Sequence, residues 1–505
     1  MPPAIEKFLK KIEPPKWVLI LLVICFVLRI PSFFEPYYYG DEMIYLTLGQ
    51  GIRQGIPLYL GLHDNKPPLL YILAAIAGNL FWFKVILALW STFTIVFFWK
   101  LSQALLPKNN KAIKAATIIF SLLTTIPLIE GNTANAELFF IGPIIFGFWI
   151  LLTKKLSKKN VFFAGLSFSV ATLFKVPAMF DMAAIVFLWL VTIKKDKKGI
   201  KEFITNVLWL AIGFLTPLLL TVVWYFLRGA LKEYLVAAFL QNLGYLSSWK
   251  DQATQQLPFW VKNKSLLIRA AIVAAGLGLL AIKRKKLPTY FIFTSGWLLI
   301  SLFAVALSER PYPHYLIQAI PAISVLFGLL LADKTLVQVY SIIPLTLAFL
   351  VPVYFKFWTY PTFSYYQRFL KFAVRIETQD EYFSNFRQQI LRNYQIAKTV
   401  RSLTQRKDRV FVWGDDSSIY ALSRRLPPIK YVADYHVKDF STPKEIVLAL
   451  TNNPPAIIVI LPEGSSFVEI KSLLRQRYIL LSNIDGAEIY KLINLNPTAL
   501  QSLEK

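Results

Sequence analysis

Long apolar stretches separated by short polar connections rich in lysine fill the first 357 residues, and the pattern then changes. Apolar spans fall at 17–34, 84–106, 112–129, 137–153, 160–176, 177–193, 204–227, 265–282, 288–308, 313–332 and 335–356. Many approach or exceed the roughly 20 residues a helix needs to cross a bilayer. A further run, 68–82, is shorter than the rest. Beyond 358, residues 376–404 predict one charged amphipathic helix, RVFVWG (409–414) a strand, SSIYALSRR a helix and KYVADY a second strand. TPKEIVLALTNN then reads as a helix, AIIVIL (456–461) as a strand, SSFVEIKSLLRQR as a helix and YILLSNIDGAEIYKL as an Asp-Gly hairpin. Alternating strands and helices imply a small α/β domain. The fold class is therefore a polytopic α-helical membrane protein of about 11–13 transmembrane helices with a C-terminal α/β domain. The expected domains are a membrane region, 1–357, with a first outer loop at 35–83, and an α/β domain at 358–505.

Composition agrees with that class. Of 505 residues, 56% are hydrophobic and 17% charged, where a soluble protein carries roughly a quarter charged. The net charge of +26 would suit nucleic acid, but its placement argues for a membrane. Lys7, Lys10, Lys11 and Lys16 precede the first span; Lys108, Lys111 and Lys114 follow the second; Lys154, Lys155, Lys158 and Lys159 follow the fourth. Lys194, Lys195, Lys197 and Lys198 come after the sixth, and Lys283, Arg284, Lys285 and Lys286 after the eighth. Such clusters mark cytoplasmic connections, so no nucleic-acid partner is expected. The N-terminus is then cytoplasmic in a cell (plasma or inner) membrane, and the loops at 35–83, 130–136, 175–181, 228–264 and 308–312 face outward with everything after 357. This holds only if 68–82 does not cross alone, so it is expected to be re-entrant or surface-lying. The basic lead-in to the first span lacks a small-residue cleavage pattern and reads as a retained anchor. The one cysteine, Cys25, lies in an apolar span and supplies neither a disulfide framework nor a metal site.

The candidate chemistry gathers on the expected outer side. The loop YYYGDEMIYLTLGQGIRQGIPLYLGLHDNKPPLLY (37–71) begins with Asp41 and Glu42. Adjacent residues on a helix diverge by about 100°, so one can act as base while the other orients a group; the alternative is a pair of helix-start acids. MIYLTLGQGI reads as a short amphipathic helix on a membrane surface. Lys66 precedes Pro67-Pro68, and a cation fixed at that depth suits a lipid phosphate, the alternative being a snorkelling lysine. His63 contributes a hydrogen bond within this loop. Glu137, in GNTANAELFF, is a second acid, with Asn132, Thr133 and Asn135 as helix caps in the plainer reading. Lys175 could pair with Asp181 or line a cavity. Arg310 and His314, in SERPYPHYLIQ, occupy a short turn, and an arginine fork matches phosphate oxygens. His436 reads as a surface residue of the C-terminal domain, which looks like a support or lid rather than a catalytic part. Charged groups at a membrane boundary are functional candidates by default. Acids on one loop with cations around it suit transfer of a group from a membrane-borne phosphate, a carboxylate taking the acceptor's proton and cations stabilising the departing phosphate. With no metal-ligand pattern in sight, metal independence and no cofactor are expected.

The run G-D-E-x-x-Y (Gly40 to Tyr45) followed by Gly55, Tyr59 and Lys66-Pro67-Pro68-Leu69 resembles the GT-C superfamily of integral-membrane glycosyltransferases. The resemblance is to bacterial relatives of protein O-mannosyltransferases and of the lipid A aminoarabinose transferase, and it covers roughly 1–357. It implies a polyprenyl-phosphate sugar donor, an extracytoplasmic active site and inversion at the anomeric carbon, hence a hexosyl- or pentosyltransferase. It matches Asp41 to the first-loop catalytic acid and Glu42 to its neighbour. Lys66 matches a lysine facing the lipid phosphate, with Lys175, Arg310 and His314 as looser phosphate-side matches. Glu137 matches a second acid near the acceptor, and Tyr45, Tyr59, His63 and Asn135 are expected on the sugar or acceptor side. The acceptor would be a protein, a lipid or a glycan. A transporter or flippase of lipid-linked saccharides is the main alternative, and a non-enzymatic envelope scaffold a third; a transporter should show repeated halves with mid-membrane polar groups, whereas here the polar groups gather at one face.

Overall fold

The structure, a computed structural model, describes residues 13–106, 109–241, 258–332 and 335–493; Lys7, Lys10, Lys11 and Lys108 lie outside them. The chain gathers into two compact units, one of Met1–Phe33, Lys84–Gly229 and Ala238–Tyr366, the other of Phe34–Phe83, Ala230–Ala237 and Gln367–Lys505.

The described residues of the first unit form helices and their connections. Among the described residues six helices, some continuing into the neighbouring segment, are long and apolar enough to cross a membrane: Lys16–Phe34, Leu80–Leu105, Ala136–Thr153, Lys197–Leu227, Lys264–Ile282 and Leu336–Tyr354. Shorter apolar helices occur at Val176–Thr192, Thr289–Val305 and Ile320–Ala332, with Asn110–Leu123 and Lys158–Thr172 beside them. Every expected span thus corresponds to helix, and the protein is a multi-pass membrane protein. Its outward faces are apolar, as lipid demands: Ile272, Leu279 and Ile282 on one helix and Leu220 and Leu227 on another are exposed. Polar caps start the helices beside the lysine clusters. Ser157 accepts from the Asn160 amide and Asp196 from the Gly199 amide at 2.7 Å, satisfying amides that would otherwise be orphaned.

Helix Lys158–Thr172 packs along Lys197–Leu227 with two glycines facing opposite backbones. A Cβ on Gly165 would collide with the Leu210 carbonyl oxygen, and one on Gly213 with that of Phe162. Small residues permit this approach, since helices in lipid associate by close packing rather than by a hydrophobic drive. The interior nearby is aromatic: Phe148 meets Phe168, Phe293 and Trp297 with centroids 5.1, 5.1 and 4.8 Å apart.

The second unit joins the first loop to the C-terminal domain. Helix Gly40–Arg53 packs on helix Ser418–Ser423. The short apolar run becomes helix Leu69–Ala77, nine residues closed by Gly78 in the left-handed conformation (φ 70°). At 1.5 Å per residue it reaches about 14 Å and cannot span a bilayer. Strands β1 (Val410–Trp413), β2 (Ile457–Ile460), β3 (Tyr478–Ile484) and β4 (Ala487–Leu492) form one sheet in the order β1-β2-β4-β3. The β1–β2 pair is parallel and the others antiparallel. The β3–β4 hairpin turns at Asp485 (φ 45°) and Gly486 (φ 83°), the left-handed pair that a tight hairpin requires. Phe411, Trp413, Leu450, Ile458 and Phe467 form the core beneath it.

Two expected elements differ. Residues 376–404 form two helices, Gln379–Ser384 and Ile390–Leu403; between them the side-chain Nδ2 of Asn385 donates to the Glu381 carbonyl at 3.0 Å and competes with helix continuation. KYVADY is no strand: the Lys430 carbonyl accepts from the His63 amide at 2.8 Å in an isolated bridge, and helix Asp434–Phe440 begins at once.

The Gly165–Gly213 approach predicts that Gly213→Leu destabilises the protein by about 1–3 kcal/mol through forced separation, with Gly213→Ala between it and the parent. Thermal unfolding in detergent reads this out, and an unshifted midpoint for the leucine variant would refute it.

Candidate active site

Asp41 and Glu42 occupy the first turn of helix Gly40–Arg53, where the helix dipole favours anions. Their divergence places them in different surroundings. The Asp41 side chain is 33% exposed, whereas Glu42 is wholly buried. The Tyr45 hydroxyl, one turn on, donates to Asp41 Oδ2 at 2.7 Å, and Lys66 Nζ stands 3.8 Å from the same oxygen.

Lys66 is held by its own loop. Its amide donates to the Tyr71 hydroxyl at 3.1 Å and its carbonyl accepts from the Tyr59 hydroxyl at 2.7 Å. Its ammonium lies 5.0 Å from the Tyr45 ring centroid, a distance at which the ring face attracts a cation. Tyr59 itself sits at φ 72°, an outlier for so bulky a residue, and such strain gathers at functional sites.

A second carboxylate completes the cluster. Asp64 is almost wholly buried, with Oδ2 3.7 Å from Lys66 Nζ. Oδ2 accepts from the Tyr71 hydroxyl at 2.8 Å and Oδ1 from the Asn65 amide at 2.7 Å. His436 Nε2 approaches Oδ1 at 3.5 Å. Burial pushes the Asp64 carboxyl up, but Lys66, His436 and the Asn65 amide together hold it well below the usual carboxylate range. Burial and then Asp41 and Asp64 push the Tyr45 phenol well up. His63 supports this floor, its ring 5.4 Å from His436 and 4.9 Å from Phe440. Burial and the neighbouring His436 lower its imidazole to about 4.

The other candidates lie in the first unit. Glu137 opens helix Ala136–Thr153 and pairs with Lys175, Nζ to Oε1 2.5 Å; Lys175 also lies 3.7 Å from the Tyr315 ring centroid. His314 Nδ1 is 2.5 Å from Glu130 Oε2, which also accepts from Asn135 Nδ2 at 3.0 Å. Glu130 is itself left-handed, φ 63°. Nearby, buried Lys84 donates to the Asn132 carbonyl at 3.0 Å. Arg310 is half-buried in the turn before His314, its amide donating to Ser308 Oγ at 3.4 Å.

Lys175 therefore pairs with Glu137 and not with Asp181, which is buried and accepts from Trp297, Ser301 and Gln318 at 2.5, 2.7 and 2.5 Å. His436 is 2% exposed rather than superficial, because helix Asp434–Phe440 turns it inward. The structure thus collects Asp41, Tyr45, Tyr59, His63 and Lys66 in one unit and Asn135, Glu137, Lys175, Arg310 and His314 in the other, with Glu42 behind Asp41. Sequence reasoning gave no role to Asp64, Tyr71 or Glu130, read His436 as superficial, and named Asp181 only as one partner Lys175 could take. Asp64 stood in view two residues before Lys66, whereas Tyr71 reads as the start of an apolar helix and nothing local marks His436.

No protein-family model and no curated protein sequence matches the chain. Among solved structures it is similar to ArnT from Cupriavidus metallidurans bound to undecaprenyl phosphate, with 12% identity, a TM-score of 0.55, and coverage of 95% of this chain and 98% of that one. The same protein in its apo state gives 12% identity, a TM-score of 0.51, and coverage of 94% and 97%. The archaeal oligosaccharyltransferase AglB from Archaeoglobus fulgidus, in complex with an inhibitory peptide and a dolichol-phosphate, is more distant: 11% identity, a TM-score of 0.44, and coverage of 90% and 70%. At these identities the likeness concerns the fold alone, a multi-helix membrane architecture shared with ArnT over nearly the whole of both chains.

The buried imidazole makes a pH prediction. Unfolded, His63 takes its proton near 6.5; folded, near 4. Between these values the unfolded state binds more protons, so stability present above about pH 6.5 falls as the pH drops toward 4. His63→Gln should flatten that slope in thermal unfolding, and an unchanged slope would refute the assignment.

Proposed function

We propose that this chain, built on the GT-C fold, is an inverting glycosyltransferase that moves a sugar from a polyprenyl-phosphate donor to an extracytoplasmic acceptor. The observation that carries the reading is the partly exposed Asp41 carboxylate beside the Lys66 ammonium, 3.8 Å apart. A base and a cation so placed serve the two ends of a displacement at an anomeric carbon. That ArnT is crystallised with undecaprenyl phosphate supports a lipid-phosphate donor here.

In the proposed reaction Asp41 accepts the proton of an acceptor hydroxyl or amine as its oxygen or nitrogen attacks the anomeric carbon. The new bond forms as the bond to phosphate oxygen breaks, and the electron pair leaves with the lipid phosphate. Lys66 stabilises the charge that grows there. Attack opposite the leaving group inverts the carbon. Exposure favours Asp41 over Glu42 as base, because a wholly buried carboxylate does not reach an acceptor. Tyr45 orients Asp41, and Tyr59 and His63 fix the loop. Glu137 and Asn135 are assigned to acceptor binding, and Lys175, Arg310 and His314 to the phosphate side. The charge of Lys66 allows the reaction to run without a metal. We place the active site and the C-terminal domain outside the cytoplasm on the lysine distribution, since a lipid carrier is what brings sugars to that side.

With purified protein and a polyprenyl-phosphate sugar, Asp41→Asn should lower transfer by about 10²–10⁴-fold, while Glu42→Gln stays within about tenfold of the parent. Lys66→Ala should weaken undecaprenyl phosphate binding, and EDTA should leave the rate unchanged. Full activity in the Asp41 variant would end the proposed role of that carboxylate.

A further inference from the structure

The Lys66 ammonium has two carboxylates at nearly equal distance, Asp41 at 3.8 Å and Asp64 at 3.7 Å. Asp41 is partly exposed and Asp64 is buried and anchored. The anchor comes from two directions: Tyr71 and Asn65 from its own loop, and His436 from the C-terminal helix Asp434–Phe440. We propose that the C-terminal domain is a working part of the donor site, His436 acting through Asp64 as a positioning residue that sets where the Lys66 ammonium sits and how strongly it bears on Asp41. This rests on the proposed roles of Asp41 and Lys66.

The physical argument is one of shared charge. A base whose carboxylate faces a lone ammonium is a weak base, since the cation favours the ionised form. A second, buried carboxylate on that ammonium takes part of its field, so Asp41 keeps proton affinity while Lys66 remains in place for an arriving phosphate. Asp64 performs this only if its oxygens are immobile, and each of its bonds contributes to that. His436 has a role in it that requires a defined tautomer. With Nε2 toward a carboxylate, the proton belongs on Nε2, and Nδ1 is then a buried acceptor without a hydrogen-bond partner among the described residues. A buried imidazole left half-satisfied costs stability, which is tolerable where the other nitrogen has a task. The remaining titratable groups around Asp64 are Lys66, Tyr45, Tyr71 and His63, and Lys430 faces His63.

The test uses the full chain in detergent with undecaprenyl phosphate as binding probe and sugar transfer as a second readout. His436→Gln keeps an N–H donor near the Nε2 position, while His436→Asn withdraws it by one bond. The expected result is that His436→Asn and His436→Ala weaken undecaprenyl phosphate binding roughly tenfold or more, and that His436→Gln restores it. Asp64→Asn removes the competing charge, so Asp41 loses proton affinity and the acid limb of kcat/KM moves to lower pH. Should His436→Ala fail to fold by thermal unfolding, the Gln and Asn variants decide between them. Equal affinity in the Gln and Asn variants with an unmoved acid limb in Asp64→Asn overturns the inference and leaves the glycosyltransferase reading standing. A parent protein that neither binds undecaprenyl phosphate nor transfers sugar overturns both.

Discussion

One ammonium between two carboxylates organises the first loop. Lys66 reaches Asp41 and Asp64 at 3.8 and 3.7 Å, and much of the loop serves to keep it there. Tyr59 and Tyr71 grip its backbone, and Tyr45 both bonds Asp41 and offers its ring to the cation. Such an arrangement costs desolvation energy that an isolated exposed pair does not. The loop therefore needs a partner that excludes water and supplies hydrogen bonds, and the C-terminal domain does both through Tyr431, His436 and Phe440 packed around His63.

The first unit repeats the theme of buried acids with specific partners. Glu137 has Lys175, Glu130 has His314 and Asn135, and Asp181 has an indole, a hydroxyl and an amide. Each acid is buried, and each has partners from a different helix or turn. Tyr59 and Glu130, one in each cluster, are two of the seven non-glycine residues with a left-handed backbone among the described residues.

The membrane helices were legible because a bilayer imposes length and apolarity, and the run at 68–82 was set aside as a lone span because crossing there would have reversed the side of every later lysine cluster. Most C-terminal elements were legible as well, since capping and turn residues such as Thr442 with Glu445 and Asp485-Gly486 act locally. What failed depended on distant partners. KYVADY has strand-like residues, yet its backbone is claimed by His63. Asp41, Lys66 and Glu137 could be singled out as charges at apolar boundaries. Asp64 was passed over beside them, and His436 was read as superficial, because burial of a charge is decided by the element that covers it. For Lys175 the sequence left a pair with Asp181 and a place lining a cavity both open, and tertiary structure gives it Glu137.

The contrast between exposed Asp41 and buried Glu42 has a bearing on how such loops diverge. Two acids in a row look interchangeable, but a helix turns each successive side chain by about 100°. A one-residue shift of this helix's register against its buried face would carry Glu42 into the partly exposed position that Asp41 now holds. Lineages carrying this loop should therefore tolerate change in its identity more readily than in its phase, and the spacing from Gly40 to Tyr45 is the quantity to compare among them.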